Sequence, residues 1–356
     1  MNNILKDLKK TVKNEYSFTI DDETNPYNVE EWIDTGCYAL NAILSDGDIF
    51  KGIPKGKRII FAGPASTAKS YFIMYLIKNF LKNQENSYVA VFETEGSTIT
   101  NMCKTFDIPT DKLIIFPVLT VEDFRTQITK LLDKIIEMKK EDPTINFLVA
   151  LDSLGMLSTE KEYEDAVSGS DKADMTRAKK IRSIFRLITL KLALTQTTML
   201  IANHVGAAIG SYGGGVTMGG GAGPRFSGDI IVFLSKAKEK EGSEHVGALI
   251  TCKLDKSRYQ PEGNKVKIAL IFKKGIFTHS YLLELGQELG LIKKEGLSLV
   301  LPDGTKKRRK ELIRNAAEYF TKENLQILRD AIYSKYSFNT DDSFDFSDAE
   351  EETEDE

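Results

Sequence analysis

Eight consecutive residues, Gly63, Pro64, Ala65, Ser66, Thr67, Ala68, Lys69 and Ser70, have the types and spacing to hold a chain of phosphates. They follow the apolar run RIIFAG and lead into KSYFIMYLIKNFL, so a strand feeds a helix through a tight loop. Such a loop turns several backbone N–H groups toward one anion at the positive end of a helix. Lys69 is placed to reach the β and γ phosphates of ATP, and the Ser70 hydroxyl to bind Mg²⁺, with Tyr71 next on the first helical turn. Ala68 stands where the motif carries its second glycine. The plainer alternative is an ordinary tight turn that happens to end in Lys-Ser.

Two acidic positions belong to the same chemistry. LVALDS closes an apolar run with Asp152, whose carboxylate can hold Mg²⁺ directly or through water; the alternative is an aspartate capping a strand end. FETEG carries Glu93 and Glu95, and period-two alternation predicts both on one face. A carboxylate beside the γ phosphate can orient and deprotonate an attacking water. Glu95, the outermost, is favoured as that base, with Glu93 second.

The elements that must position these groups alternate. Strands are expected over 58–63, 88–94, 112–118, 145–153 and 197–204, and helices over 69–81, 121–140 and 175–194. That alternation implies a mostly parallel sheet flanked by helices. After Gly223 come GDIIVFLSKAK, VGALITCKLD and KVKIALIFKKG, short runs that predict an antiparallel continuation. Residues 1–15 space Ile4, Leu5, Leu8 and Val12 as an amphipathic helix, and Tyr16 to Ile20 alternate as a strand. From about 286 the chain reads as helical and basic. Between Gly206 and Gly223, nine of 18 residues are glycine. Ordering so many glycines costs much backbone entropy, so this segment reads as a functional loop that needs a ligand to settle. Ile209, Tyr212, Val216 and Met218 within it can wedge between or stack on bases, with Gly206, Gly214 and Gly220 supplying backbone N–H groups. Arg225 is the cation at its return.

The 356-residue chain is 41% hydrophobic and 28% charged, which excludes collagen-like and disulfide-scaffold classes. No run approaches the ~20 apolar residues of a membrane span. Three cysteines without metal-like spacing, and an opening MNNILKDLKK without an export pattern, lead to an expectation of a reducing cytoplasm. Residues 339–356 hold ten acids and no bases, leaving 48 bases against 42 acids in the rest. The body is therefore mildly basic, and the tail is either solvated or a competitor for a polyanion site.

The order of phosphate loop, Glu-ended strand and Asp-ended strand resembles the RecA-type ATPase core. The runs ALDSLGMLSTEKEYEDA, SDKADMTRAKKIRSIFRLIT, IANHVG, GGGAGPRFSGDIIVF and LDKSR are similar to the strand-exchange recombinases of the RecA superfamily, most of all the phage UvsX branch. The likeness covers residues 35–290. It implies an α/β fold, a RecA-type P-loop ATPase core over 35–285. The expected flanking parts are an N-terminal polymerisation segment (1–34), a small C-terminal region (286–338) and an acidic disordered tail (339–356). It implies an ATP- and Mg²⁺-using, DNA-dependent ATPase that forms a helical homofilament on single-stranded DNA and exchanges strands with a homologous duplex. It further implies two DNA loops, at about Ser158–Lys172 and Val205–Gly223, with Arg177 beside the first. His204 takes the place of a glutamine that contacts the γ phosphate in bacterial RecA, and is expected to sense ATP and order the second loop. Lys253, Lys256 and Arg258 occupy the place of basic residues that reach the ATP of the adjacent protomer; which of them does so is open. A single-strand-binding protein and a loading mediator are implied partners, and a host cytoplasm if the chain is phage-encoded. KKRRK (306–310) is a chance likeness to a nuclear-targeting run, an exposed turn, or a secondary site that gathers duplex DNA through its phosphates. Two rivals share the ATP residues: a hexameric RecA-fold helicase, and a weakly hydrolysing mediator, which the Ala68 departure keeps alive.

If the tail competes for the polyanion site, deleting 339–356 tightens single-stranded DNA binding at low salt in a fluorescence titration. Unchanged affinity marks the tail as solvated only.

Overall fold

The computed structural model describes residues 3–14, 16–22, 25–96, 99–169, 176–207, 216–220, 222–236, 247–272 and 274–338. A helix α1 (Asn3–Val12) comes first, then β1 (Trp32–Ile33), α2 (Tyr38–Leu44) and β2 (Ile53–Pro54). The alternating part follows as β3 (Arg58–Gly63), α3 (Lys69–Asn83), β4 (Ser87–Glu93), α4 (Ile99–Phe106), β5 (Leu113–Pro117), α5 (Val121–Glu141) and β6 (Asn146–Asp152). It continues as α6 (Glu160–Val167), α7 (Arg177–Thr195), β7 (Thr198–Ala207), β8 (Val216–Met218), α8 (Ala222–Ser227) and β9 (Ile230–Lys236). Then come β10 (Gly247–Lys256), β11 (Lys265–Ile271), β12 (Gly275–Ile276) and α9 (Leu282–Glu288). The last elements are β13 (Lys293–Glu295), β14 (Ser298–Val300), β15 (Lys306–Arg308), α10 (Arg309–Arg314), α11 (Ala316–Tyr319) and α12 (Lys322–Tyr336).

The main sheet has the order β12-β11-β10-β9-β3-β7-β6-β4-β5. From β5 to β9 the pairings are parallel, and from β9 to β12 antiparallel. Both faces are covered, so the middles of the central strands are continuously apolar, with polar residues toward their ends. Along β3, Ile59 and Phe61 pack toward α3, whereas Ile60 and Ala62 pack toward α5 and α7. Leu148 and Ala150 against Val149 and Leu151 repeat the split on β6. Parallel pairing brings the C-terminal ends of these strands to one edge, with Glu93 opposite Asp152 and Gly63 opposite His204. In open parallel sheets that edge is where ligands sit.

Four sequence expectations differ from the structure. Tyr16–Ile20 is not a strand but irregular chain between turns, with the Ser17 N–H bonded back to the Asn14 carbonyl; alternation makes a strand only where another strand supplies hydrogen bonds. The region expected as a loop at 158–172 contains α6, nucleated by a capping box in which Thr159 and Glu162 satisfy each other's backbone N–H. The basic C-terminal region is not wholly helical, because β13, β14 and β15 form a small antiparallel sheet. Its strands are three residues long and lysine-rich, too short for periodicity to register. KKRRK is accordingly the strand β15 running into α10, not a turn, and Lys306, Lys307 and Arg309 pair with Glu295, Glu311 and Glu284. The C-terminal helices bury Leu285, Leu328 and Ile332 in the same core cluster as α2. Among the described residues no helix is long and apolar enough to cross a membrane.

Candidate nucleotide and DNA site

The loop after β3 has the shape its residues require. A Cβ on Gly63 would lie 2.5 Å from the Leu234 carbonyl oxygen and 2.7 Å from Thr67 Oγ1, so only glycine fits. Thr67 Oγ1 donates to the Pro64 carbonyl at 2.8 Å and cinches the loop. Ser66 and Ala68 have φ of 62° and 64°. The departure from the glycine consensus thus falls on a left-handed position, where a side chain costs about 1–2 kcal/mol. Lys69 is 6% exposed, and its Nζ donates to the carbonyls of Gly63 (3.0 Å) and Pro64 (2.8 Å). Burial lowers its pKa, and the charges of Glu95 and Asp152 act against that.

A cleft of about 310 Å³ opens beside this loop, lined by Ala65, Ser66, Ala68, Lys69, Ser70, Tyr71, Glu95, Met102, Asp152 and His204. The candidate nucleotide residues from four strand ends therefore meet. Met102, on α4, carried no sequence signal. Tyr71 hydrogen-bonds the Ile271 carbonyl at 2.9 Å and packs edge-on against Phe106.

Asp152 is buried, and its carboxyl pKa is raised by that burial and by the charges of Glu95 and Glu93; the Ser70 hydroxyl and Lys69 only partly offset this. A buried, hydroxyl-bonded carboxylate held against two more carboxylates offers hard oxygen ligands and a local excess of negative charge. That donor set suits a divalent cation such as Mg²⁺, so Ser70 and Asp152 fit the metal role expected of them.

The two glutamates separate in function. The Glu93 carboxylate accepts from the backbone N–H groups of Glu95 and Gly96, both at 2.9 Å, and so builds the turn. The strand ends at Glu93, and the turn removes the shared face expected from alternation. Glu95 instead faces the cleft. Its Oε1 accepts from Ser153 Oγ at 2.7 Å and from His204 Nε2 at 2.9 Å. Burial would raise its pKa, but these bonds and the charges of His204 and Lys69 outweigh it and hold Glu95 below the usual range. An ionised carboxylate only accepts, so His204 carries its hydrogen on Nε2. Ser153 as the second anchor of Glu95 was legible only as part of LVALDS.

The remaining candidates divide. His204 opens the β7–β8 excursion, and Arg177 donates to the Gly155 carbonyl at 2.6 Å. Gly206 and Gly220 sit at the two ends of the glycine-rich segment; Ile209, Tyr212 and Gly214 lie outside the described residues. Met218 is 8% exposed and packs with the α5–α7 cluster, so its side chain belongs to the core and not to a base-stacking surface. Arg225 pairs with Asp255 at 3.5 Å.

Lys256 and Arg258 are not near the cleft. They sit beside Asp229, whose N–H donates to the Arg58 carbonyl at the opposite end of β3. Six residues of strand, at about 3.3 Å each, put roughly 20 Å between that end and the phosphate loop. Asp229 accepts from Arg58 N, Nε and Nη2 at 3.0, 2.9 and 3.1 Å and from Arg258 Nε at 2.9 Å. Burial would push its carboxyl up, but Arg58 and Arg258 hold it below the usual range. Arg258 is thereby anchored by Nε with its side chain 57% exposed. Lys256 Nζ is bonded to the carbonyls of Arg225 (2.9 Å) and Phe226 (3.3 Å), and Lys253 is exposed on β10.

With that geometry in view, comparison with known proteins is decisive. The RecA N-terminal domain family matches residues 1–277. This chain belongs to that family. Its relatives include the "Recombination and repair protein" of Enterobacteria phage T4, 28% identical over 91% of this chain and 83% of the relative. They also include "Protein RecA" of Streptomyces rimosus, 26% identical over 75% of this chain and 67% of the relative. "Protein RecA" of Mesomycoplasma hyopneumoniae (strain 7448) is 26% identical over 82% of both chains.

The raised Asp152 pKa has a sign that can be tested. The folded chain binds a proton at Asp152 more tightly than the unfolded chain does. Ionised Asp152 therefore destabilises the nucleotide-free fold above its folded pKa, and the penalty fades as pH falls through that value. Asp152→Asn raises the melting temperature of the nucleotide-free protein at neutral pH by a few degrees, and the gain shrinks in acid. The same variant loses ATP turnover by roughly 100-fold, the scale of one lost charge-stabilising group. Calorimetry across pH and a phosphate-release assay check both.

Proposed function

We propose that this protein is an ATP-dependent DNA recombinase: a DNA-dependent ATPase that assembles on single-stranded DNA and exchanges strands with a homologous duplex. The observation that carries this reading is the Glu95–His204 hydrogen bond. It joins the residue that would activate water to the strand that opens the glycine-rich segment, so one contact touches both nucleotide and DNA functions.

Each residue's part follows from its position. The backbone N–H groups of 65–70 hold the phosphates. Lys69 leaves the Gly63 and Pro64 carbonyls and neutralises charge on the β and γ phosphates. Ser70 and Asp152 would hold Mg²⁺, which when bound would supply positive charge to the phosphates. Glu95 Oε1 is taken by Ser153 and His204, which leaves Oε2 to orient a water and accept its proton. His204 reports the γ phosphate to β7. DNA is held by the segments after Met156 and after Ala207, with Arg177, Gly206, Ile209, Tyr212, Gly214, Gly220 and Arg225 on or beside them.

Assembly completes the site. Arg258, anchored by Asp229, lies too far from its own phosphate loop to serve it, so it acts on the ATP of a neighbouring copy, with Lys256 near the same carboxylate and Lys253 further along β10 as the other candidate. The exposed apolar face of α1 and residues 16–20 dock on another copy. There the strand β5 is an open sheet edge carrying Ile114, 53% exposed, and Ile115, 37% exposed. Such a head-to-tail contact does not close and makes a filament. The parts are then 1–34 for assembly, 35–285 for ATP and DNA, 286–338 as a small C-terminal region and 339–356 as an acidic tail. A single-strand-binding protein and a loading mediator are its natural partners in a cytoplasm.

The test is ATP turnover with and without single-stranded DNA. Wild type is stimulated at least about 10-fold, and Lys69→Ala loses turnover in both conditions, a variant that removes the phosphate-reaching charge. Equal rates with and without DNA in wild type would replace this reading with a RecA-fold ATPase of another purpose.

A further inference from the structure

Two chain excursions leave the sheet at neighbouring strand ends and return to one place. The first departs at Asp152, passes the turn 154–156 and α6, and returns at Arg177 on α7. The second departs at His204 and returns through β8 to Gly219. All four ends meet around Gly155 and Asn203. Arg177 Nη2 donates to the Gly155 carbonyl at 2.6 Å. Asn203 Nδ2 donates to the Gly219 carbonyl at 2.9 Å, and the Gly219 N–H donates to the His204 carbonyl at 2.8 Å. The packing leaves no slack. A Cβ on Gly219 would lie 2.9 Å from Asn203 Oδ1 and 3.0 Å from Gly155 Cα. A Cβ on Gly155 would lie 3.3 Å from His204 Cβ and Cδ2 and 3.4 Å from Asn203 Oδ1.

Asn203 is fully buried, yet its Oδ1 finds no hydrogen-bond partner among the described residues, and neither does the buried Nε of Arg177. A buried acceptor and a buried donor, both beside Gly155, are unsatisfied in this arrangement. Unpaired buried polar groups are costly, so a second arrangement of the junction that pairs them is favoured once something offsets the repacking. A tightly packed contact of this kind switches between discrete states and does not deform gradually.

We propose that Asn203 is a positioning residue that joins the roots of both excursions. A displacement of His204 by nucleotide then moves both DNA-holding segments as one unit. Asn203 touches neither nucleotide nor DNA; it acts through Gly155 and Gly219. The inference rests on the nucleotide-gated DNA binding proposed above, and deepens it by naming how the gate reaches two segments at once.

The experiment uses the full chain and a fluorescent oligothymidylate. The readout is the ratio of DNA dissociation constants without and with a slowly hydrolysed ATP analogue. Three variants strike the junction from different sides: Asn203→Asp removes the donor to Gly219, Gly155→Ala crowds the first root, and Gly219→Ala crowds the second. Each is expected to lower the ratio by about 10-fold, within the usual range of coupling between sites. Analogue affinity without DNA stays within about 2-fold of wild type, and the effect of DNA on analogue affinity falls by the same factor, as reciprocity demands. A folded variant that keeps the wild-type ratio overturns the proposal, as does a loss confined to one of the two roots. Analogue affinity and melting temperature falling together with the ratio also overturn it, because that marks a purely structural role. A wild-type ratio of one would sink the recombinase reading itself, whereas a large wild-type ratio kept by all three variants sinks only this inference.

Discussion

One carboxylate oxygen, Glu95 Oε1, receives hydrogen bonds from both Ser153 and His204, and much of the rest of the molecule serves to put it there. Three strands must end at the same level for this contact to exist. Parallel pairing of β4, β6 and β7 does that, because their registers are fixed by cores on both faces and a one-residue slip would turn every side chain over. The Glu93 carboxylate then bends the chain after β4, so that Glu95 points inward and not along the strand. The outcome is an ionised base in a cleft that also holds a buried lysine and a buried aspartate whose carboxyl is held up by its surroundings. These charges are balanced incompletely within the chain, and in the proposed function a nucleotide with its metal supplies what is missing.

The opposite edge of the sheet shows the same economy with reversed sign. There two guanidinium groups, Arg58 and Arg258, share the single carboxylate of Asp229. Arg58 is consumed by the fold, while Arg258 is oriented and left largely exposed. A fixed, exposed arginine some 20 Å of strand from its own phosphate loop suits the proposed action on a neighbouring copy. Among the described residues, α1 and the edge strand β5 likewise carry exposed apolar side chains, Leu8 and Ile114 among them. In the proposed filament these surfaces meet those of a neighbouring copy.

How much of this could be read beforehand depended on whether a signal was local. The phosphate loop, the Asp152 strand and the alternation of β3 through β7 were legible because each is a contiguous pattern. The family resemblance rested on long runs in the same region. Glu93 and Glu95 were legible as a pair but not in their roles, since a side chain accepting backbone N–H groups leaves no trace in spacing. Met218 looked like a base-stacking residue from its glycine-rich surroundings, but β8 returns it to the core. Tyr16–Ile20 alternated like a strand and is none, because strand formation depends on pairing with another strand, which alternation by itself does not encode. Helix α6 was overlooked although Thr159 and Glu162 announce its start; its charged composition hid it. Ser153, Asn203 and Gly155 act through hydrogen bonds between residues 16 to 58 positions apart, on different elements, and no local pattern announces them.

The most direct measurement is the nucleotide dependence of single-stranded DNA affinity in His204→Ala at fixed salt, beside its nucleotide affinity and melting temperature. If the Glu95–His204 bond carries the state of the γ phosphate to the DNA-holding segments, DNA affinity becomes nearly independent of nucleotide. Nucleotide binding and folding are then retained. A His204→Ala protein whose DNA affinity still rises with nucleotide as in wild type would contradict that link.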